Sequence, residues 1–266
     1  MSKIASSLTI AGTDPTGGAG IQADLKTFQE LKSYGMSVIT SVVAQNTLGV
    51  QSVHHLPTSM IEAQLDSVFS DMPVHAFKTG MIANIEMMEI IQEKITNLDA
   101  HYILDPVMVA TSGDSLINKE ARDYLRKHLV PLSSLVTPNI PEAEFLLDTK
   151  IVTEDDMKHA AIKIVKELGT KAALVKGGHR EGDAIDYLYD GEQIHTFSEK
   201  RINTDNTHGT GCTYAAAITA YLSHGFSLLE AVEKSKHFVT QAIKKSFDLG
   251  QGSGPTNHWA IREENN

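Results

Sequence analysis

Short runs of β-forming residues alternate with helix-period patterns along most of this chain, and that alternation restricts its fold more than any single motif. Residues 7–11 read as a strand, with a helix from Ile21 to about Leu31. Residues 37–44 form a Val/Ile-rich strand, and 75–78 a short one. Asn84 stands as N-cap to a stripe of Ile85, Met88, Ile91 and Ile95. Strands over 101–105 and 134–137 each stop at a proline. Thr153 and Asp156 resemble a capping box, Met157, Ala160, Ile164 and Leu168 make the stripe behind it, and Gly169 ends that helix. A strand over 172–176 precedes a hairpin of 186–190 and 194–197 around Asp190-Gly191. Helices over 212–224 and 229–245 close the pattern. Strands interleaved with helices predict an α/β fold: a mostly parallel sheet covered on both faces. No linker, repeat or low-complexity stretch divides residues 1–266, so one domain is expected.

Composition narrows the partners. Of 266 residues, 41% are hydrophobic and 21% charged, which suits a globular core. The net charge of −10 argues against nucleic acid or an anionic membrane as main partner. One cysteine forbids an internal disulfide and fits a reducing, cytoplasmic setting. The first ten residues lack a secretion signal, and no apolar run reaches membrane-spanning length. No spacing among the twelve histidines supports a zinc cluster.

In parallel α/β sheets ligands bind beyond the carboxyl ends of the strands. That rule gathers Gly12 and Asp14, Ala44-Gln45-Asn46, Lys78-Thr79-Gly80-Met81, Asp105-Pro106, Thr137-Pro138-Asn139 and Lys176-Gly177-Gly178 into one candidate site. To these Thr207-His208-Gly209-Thr210-Gly211-Cys212-Thr213 adds two glycines before a helix, a combination that binds phosphate-like anions. Each residue keeps a plain alternative. Asp105 suits magnesium or a turn. Glu142 suits the same ion or the positive end of a helix dipole. Asn139 is equally an N-cap. Lys176 meets a phosphate or solvent. The Gln45 amide reads a heteroaromatic edge or satisfies backbone. Cys212 is a reactive thiol, its pKa lowered by the helix start, or a small core residue. The loop Gly17-Gly18-Ala19-Gly20 is neither a P-loop nor a dinucleotide fingerprint.

Taken together these segments resemble a known family. Thr9–Asp14 with Gly17–Asp24, Val43–Thr47, Lys78–Met81, Asp105–Val109, Thr137–Glu142, Lys176–His179 and Thr207–Cys212 are similar, in order, to motifs of the hydroxymethylpyrimidine/phosphomethylpyrimidine kinases of thiamine biosynthesis. These are members of the ribokinase-like superfamily. The resemblance runs from about residue 6 to about residue 260. It implies a ribokinase-like three-layer sandwich and two ATP-dependent phosphorylations of 4-amino-5-hydroxymethyl-2-methylpyrimidine, first to the monophosphate and then to the diphosphate. It implies Gln45 on the pyrimidine edge, with Gly12, Ala19, Met81 and Val107 lining the pocket. Asp105 and Glu142 would position Mg2+, and Asn139 and Lys176 would contact ATP phosphates. Gly209, Gly211 and the N–H of Cys212 would form the anion hole. The family also suggests a homodimer.

Three points stay open at this stage. Cys212 stands where many ribokinase-like sugar kinases carry an aspartate, so it is a general base or contributes only its N–H. Pyridoxal kinases are close relatives and offer the alternative activity. One subgroup carries a second cysteine in a lid, where this chain has Ala110-Thr111-Ser112-Gly113-Asp114. A two-cysteine capture of an aldehyde is therefore impossible here. A non-catalytic sensor would be favoured only by loss of Asp105, Lys176 or the glycine pair, and all are present.

Overall fold

The computed structural model describes residues 4–108, 117–178 and 182–264. The chain opens with β1 (Ser6–Gly12), α1 (Gly20–Glu30), β2 (Tyr34–Asn46) and β3 (Gly49–His55). It continues through α2 (Thr58–Asp71), β4 (Ala76–Thr79), α3 (Ile85–Ile95), β5 (His101–Leu104) and α4 (Lys119–Tyr124). After a π turn and a 3-10 turn come β6 (Leu135–Val136), α5 (Ile140–Leu147), α6 (Glu154–Leu168) and β7 (Ala173–Lys176). The hairpin of β8 (Ala184–Tyr189) and β9 (Ile194–Glu199) leads to α7 (Thr210–Ser223) and α8 (Leu228–Lys244).

All nine strands form one sheet in the order β3-β2-β1-β4-β5-β6-β7-β8-β9. The pairs from β2 across to β7 are parallel, and the two margins are antiparallel. Alternation along each strand divides the core. Tyr102 and Leu104 of β5, with Ala173 and Val175 of β7, face the layer built by α2 to α6. Ile103 and Leu174 face the layer that contains α7 and α8. Helices therefore cover both faces, as the sequence pattern predicts, in the three-layer sandwich the resemblance implies.

Local chemistry explains most boundaries. Asn84, Asn139, Thr153 and Ser227 each accept from a first-turn N–H, and the last three complete reciprocal capping boxes. Gly169 closes α6 at φ +81. Three elements were not read from the sequence: the exposed margin strand β3, helix α2 and the short helix α4. β3 has no buried face, so its sequence shows no apolar alternation. α2 buries only Ile61 and Leu65, too few for a clear stripe. The segment expected to act as a lid, 110–114, lies outside the described residues, as do Val109 and His179 of the resemblance.

The chain leaves β1 toward β2 on one side, while β4 docks on the other. A crevice therefore opens beyond the ends of β1 and β4, where ligands bind in sheets of this kind.

Candidate active site

Helix α7 sets the centre of that crevice. Its N-cap, Gly209, sits at φ +82, and a Cβ there would lie 1.7 Å from the carbonyl oxygen of Gly18. Only glycine allows this backbone and this approach. The loops 17–19 and 207–209 are thus pressed together, and His208 Nε2 reaches Asp14 Oδ2 at 2.8 Å. No side chain caps α7: Thr210 N donates to Thr207 O, while among the described residues the N–H groups of Gly211 and Cys212 meet no acceptor and stand at the crevice.

The strand ends bring charge to the same place. Lys176 Nζ lies 3.2 Å from Asp105 Oδ1 and 3.6 Å from where a Cβ on Gly211 would stand. Asp105 is buried, and its Oδ1 also accepts from Thr137 Oγ1 at 3.1 Å. Asn139 and Glu142 form a reciprocal pair: each backbone N–H donates to the other's side chain at 2.9 Å. Both plain alternatives, N-cap and first-turn glutamate, therefore hold as structural facts. The Glu142 carboxyl is also buried beside charge. Burial pushes its pKa up to about 7, with Lys176 opposing and Asp105 adding to the rise. A structural lysine in solvent is excluded for Lys176, which is wedged between Asp105, Glu142 and the start of α7.

The thiol departs from expectation. A lowered pKa was expected for Cys212 at a helix start. Burial instead pushes it up to about 11, against the pull of Lys78. For this half-buried residue, desolvation of the thiol outweighs what the helix start returns.

On the other side of the crevice, Gly12 lies against Met81, whose Cε would be 2.8 Å from an added Cβ. Ala19 is the N-cap of α1, and its N–H donates to Asp14 Oδ2 at 2.7 Å. Val107 takes φ +27, a strained value for a β-branched residue. Gln45 is half-buried near the end of β2. The structure thus gathers Gly12, Ala19, Met81, Asp105, Asn139, Glu142, Lys176 and the start of α7 around the strand ends.

Two buried ion pairs and one carboxylate–imidazole contact behind the site were not assigned from the sequence. Lys78 Nζ lies 3.0 Å from both oxygens of Asp24, which also accepts from Thr9 Oγ1 at 2.6 Å. Burial pulls the ammonium's pKa down, but Asp24 more than offsets this, so Lys78 stays charged beneath α7. Lys236 Nζ meets Asp186 Oδ2 at 2.7 Å, and Asp186 Oδ1 accepts the N–H of Gly177, fixing the backbone just after Lys176. The carboxylate–imidazole contact is Asp14 with His208. A signal existed for the first: Asp24 sits between Ile21 and Phe28 on the apolar stripe of α1, and Lys78 interrupts an apolar strand.

Asp105 and Glu142 fit magnesium, which takes one or two carboxylates and completes its shell with water and phosphate. Among the described residues no cluster of three His, Cys, Asp or Glu side chains offers an all-protein cage. No helix there is long and apolar enough to cross a membrane.

Comparison with known proteins agrees with this geometry. A hydroxymethylpyrimidine/phosphomethylpyrimidine kinase of Staphylococcus aureus is 48% identical over 95% of this chain and 93% of its own. A crystal structure of phosphomethylpyrimidine kinase from Clostridium difficile superposes with TM-score 0.81 at 44% identity, covering 91% of this chain and 100% of that one. An ADP complex of Bacillus subtilis pyridoxal kinase superposes with TM-score 0.92 at 41% identity, covering 98% and 99%. Shape alone does not separate these two activities. Residues 14–257 match the phosphomethylpyrimidine kinase family, and the chain belongs to it.

Proposed function

We propose that this protein is an ATP-dependent kinase that phosphorylates 4-amino-5-hydroxymethyl-2-methylpyrimidine and then its monophosphate, in thiamine biosynthesis. One observation carries the reading: Lys176, Asp105 and the uncapped start of α7 meet at a single point. Phosphoryl transfer depends on positioning and on charge stabilisation more than on covalent help from the protein. The N–H groups of Gly211 and Cys212, held by the Gly209 turn, face the moving phosphoryl group. Lys176 supplies a fixed positive charge to the phosphates, and Asn139 contacts them. Gln45 takes the pyrimidine edge, and Gly12, Ala19, Met81 and Val107 line the ring. The substrate hydroxyl loses its proton late, so the Cys212 thiol stays protonated and the residue contributes its N–H. Asp105 and Glu142 would hold Mg2+, which supplies charge neutralisation between the phosphates.

The reading extends to a single-domain enzyme of the cytoplasm acting as a homodimer. The exposed Val50 and Val53, which share one face of β3, with Leu48 in the turn before it, support an apolar contact between two copies. Pyridoxal kinase is the second reading, favoured by the TM-score of 0.92 to such an enzyme. The test is ATP consumption with Mg2+ and, side by side, the hydroxymethylpyrimidine, its monophosphate and pyridoxal. Turnover of both pyrimidines above pyridoxal is expected. Preferred turnover of pyridoxal would make this a vitamin B6 kinase on the same phosphoryl-transfer site. Sedimentation of the wild type beside Val50→Lys tests the dimer, which should dissociate in the variant.

A further inference from the structure

Thr47 lies in the turn between β2 and β3, two residues beyond Gln45. Inside that turn Asn46 Oδ1 accepts the N–H of Leu48 at 3.0 Å. Thr47 Oγ1 instead reaches out of the turn. It accepts two successive backbone N–H groups, those of Gln251 and Gly252, at 3.1 Å each. The approach is close enough to demand glycine on the far side. A Cβ on Gly250 would lie 2.4 Å from Thr47 Oγ1, and one on Gly252 would lie 2.0 Å from the Thr47 carbonyl oxygen.

The segment that carries these N–H groups is tied at its other end to the anion-hole loop. Gly254 N donates to Asn206 Oδ1 at 2.9 Å, His208 N to Gly254 O at 3.1 Å and Thr256 N to His208 O at 3.3 Å. His208 Nε2 in turn meets Asp14 Oδ2 at 2.8 Å. Beside Asp14, Thr13 Oγ1 accepts the N–H of Val43 in β2 at 3.0 Å. These ties close a ring: β2, the loop after β1, His208, residues 251–254, Thr47 and β2 again.

We infer that Thr47 is a positioning residue for the pyrimidine side of the site: its hydroxyl latches the β2–β3 turn, and Gln45 with it, to a strap of residues 250–255 that rests on the anion-hole loop. This rests on the proposed pyrimidine reading of the site. Transfer needs the substrate hydroxyl and the phosphoryl group in register, and different parts of the chain hold the two. Through the strap, the loop that ends in Gly209 sets the place of the turn. The nucleotide side does not depend on the latch, because Lys176 with Asp105, and Asn139 with Glu142, are held by bonds of their own.

The test uses the full-length protein with ATP, Mg2+ and the hydroxymethylpyrimidine. Thr47→Val keeps the branched shape and removes the acceptor of both N–H groups. KM for the pyrimidine should rise about tenfold, the scale of two lost hydrogen bonds, while KM for ATP stays within about twofold of wild type. Thr47→Ser restores the hydroxyl and should bring KM for the pyrimidine back to within about twofold of wild type. Gly252→Ala wedges the strap off the turn without altering Thr47. It should show the same one-sided change, and it serves if Thr47→Val does not fold. A role in stability alone would lower the active fraction, and kcat with it, and leave both KM values in place. That outcome overturns the inference, as do equal rises in both KM values or a Thr47→Ser enzyme as impaired as Thr47→Val. A wild type that turns over no pyrimidine overturns the pyrimidine reading itself, and the inference falls with it.

Discussion

Gly209→Ala tests whether the pressed loops, and not simply a glycine-rich sequence, build the anion hole. Two costs follow from the structure. The residue sits at φ +82, where a side chain adds about 1–2 kcal/mol. The new Cβ would also lie 1.7 Å from the Gly18 oxygen and 2.6 Å from its carbon. Both are backbone atoms, so no rotamer change relieves the clash. Restoring even a 3.0 Å contact requires the loops to part by roughly 1.3 Å. A displacement of about 1 Å at a phosphoryl-transfer site can cost on the order of a hundredfold in rate.

Two controls separate these costs. Gly225 has nearly the same backbone, φ +86, with nothing within 4 Å of an added Cβ, so Gly225→Ala reports strain alone. At about 1 kcal/mol it should lower Tm by roughly 2–4 °C and leave kinetics unchanged. Gly211 is not strained, and its Cβ would meet only Lys176 Nζ at 3.6 Å. Gly211→Ala should keep Tm within about 1 °C of wild type. It should still lower kcat/KM for ATP about tenfold, because a methyl group enters the phosphate path. Gly209→Ala should show both effects, with at least twice the Tm loss of Gly225→Ala. Calorimetry and steady-state kinetics on the three variants are the assay. A Gly209→Ala enzyme with wild-type kcat/KM, or no less stable than Gly225→Ala, would refute the contact between the loops as the basis of the site.

The remaining predictions concern titrating and buried groups. With its thiol at about 11, Cys212 acting as base would make kcat climb roughly tenfold per pH unit between 7 and 9. We expect a flat profile and a Cys212→Ala enzyme within about tenfold of wild type; a climb lost in Cys212→Ala, or a Cys212→Asp enzyme faster than Cys212→Ala, would restore the base. Glu142 titrates near 7 when folded against an ordinary 4.5. Between those values the folded state keeps a proton that the unfolded chain has lost. Stability therefore falls as pH rises through this window and levels above it. Glu142→Gln keeps an acceptor for Asn139 and should remove the fall in denaturant midpoint, so an unchanged pH slope would count against the assignment. Lys236→Met strands the Asp186 carboxylate in the core, at a cost of about 3–5 kcal/mol, while adding Asp186→Asn should recover much of it. A single variant as stable as wild type would show the pair to be dispensable.

The sequence made the architecture legible where burial imposes a period. Met88, Ile91 and Ile95 lie on the buried stripe of α3 as their spacing requires, with Ile85 half-buried against the same core, and Asn84 caps it. It was silent for β3, whose residues are largely exposed and therefore under no packing constraint. The site was legible for a different reason. A parallel sheet collects strand ends, so locating the strands located the crevice. The sequence did not show which side chains pair, because the partners are far apart along the chain: Asp24 with Lys78, Asp186 with Lys236, Asp14 with His208. Nor did it show the Cys212 thiol's environment. A helix N-terminus is a local feature that spacing reveals, whereas desolvation depends on every element packed around the sulfur.

Those pairs also bear on how a chain of net charge −10 receives a polyphosphate. Lys78 is neutralised by Asp24, and Lys176 is balanced by Asp105. What remains is the α7 start and Glu142, poised between charged and neutral near pH 7. The crevice alone therefore carries little net positive charge for the nucleotide. A divalent ion held by Asp105 and Glu142 would change that balance, since it favours the ionised carboxylate and so displaces the Glu142 proton. Binding of the Mg2+ form of the nucleotide near pH 7 should thus release a fraction of a proton, and metal-free nucleotide should not. Titration calorimetry in two buffers of different ionisation enthalpy reads this directly. A heat of binding that depends on the buffer in wild type but not in Glu142→Gln is expected. Buffer-independent heats in both would mean that Glu142 keeps its proton and serves only as the helix cap.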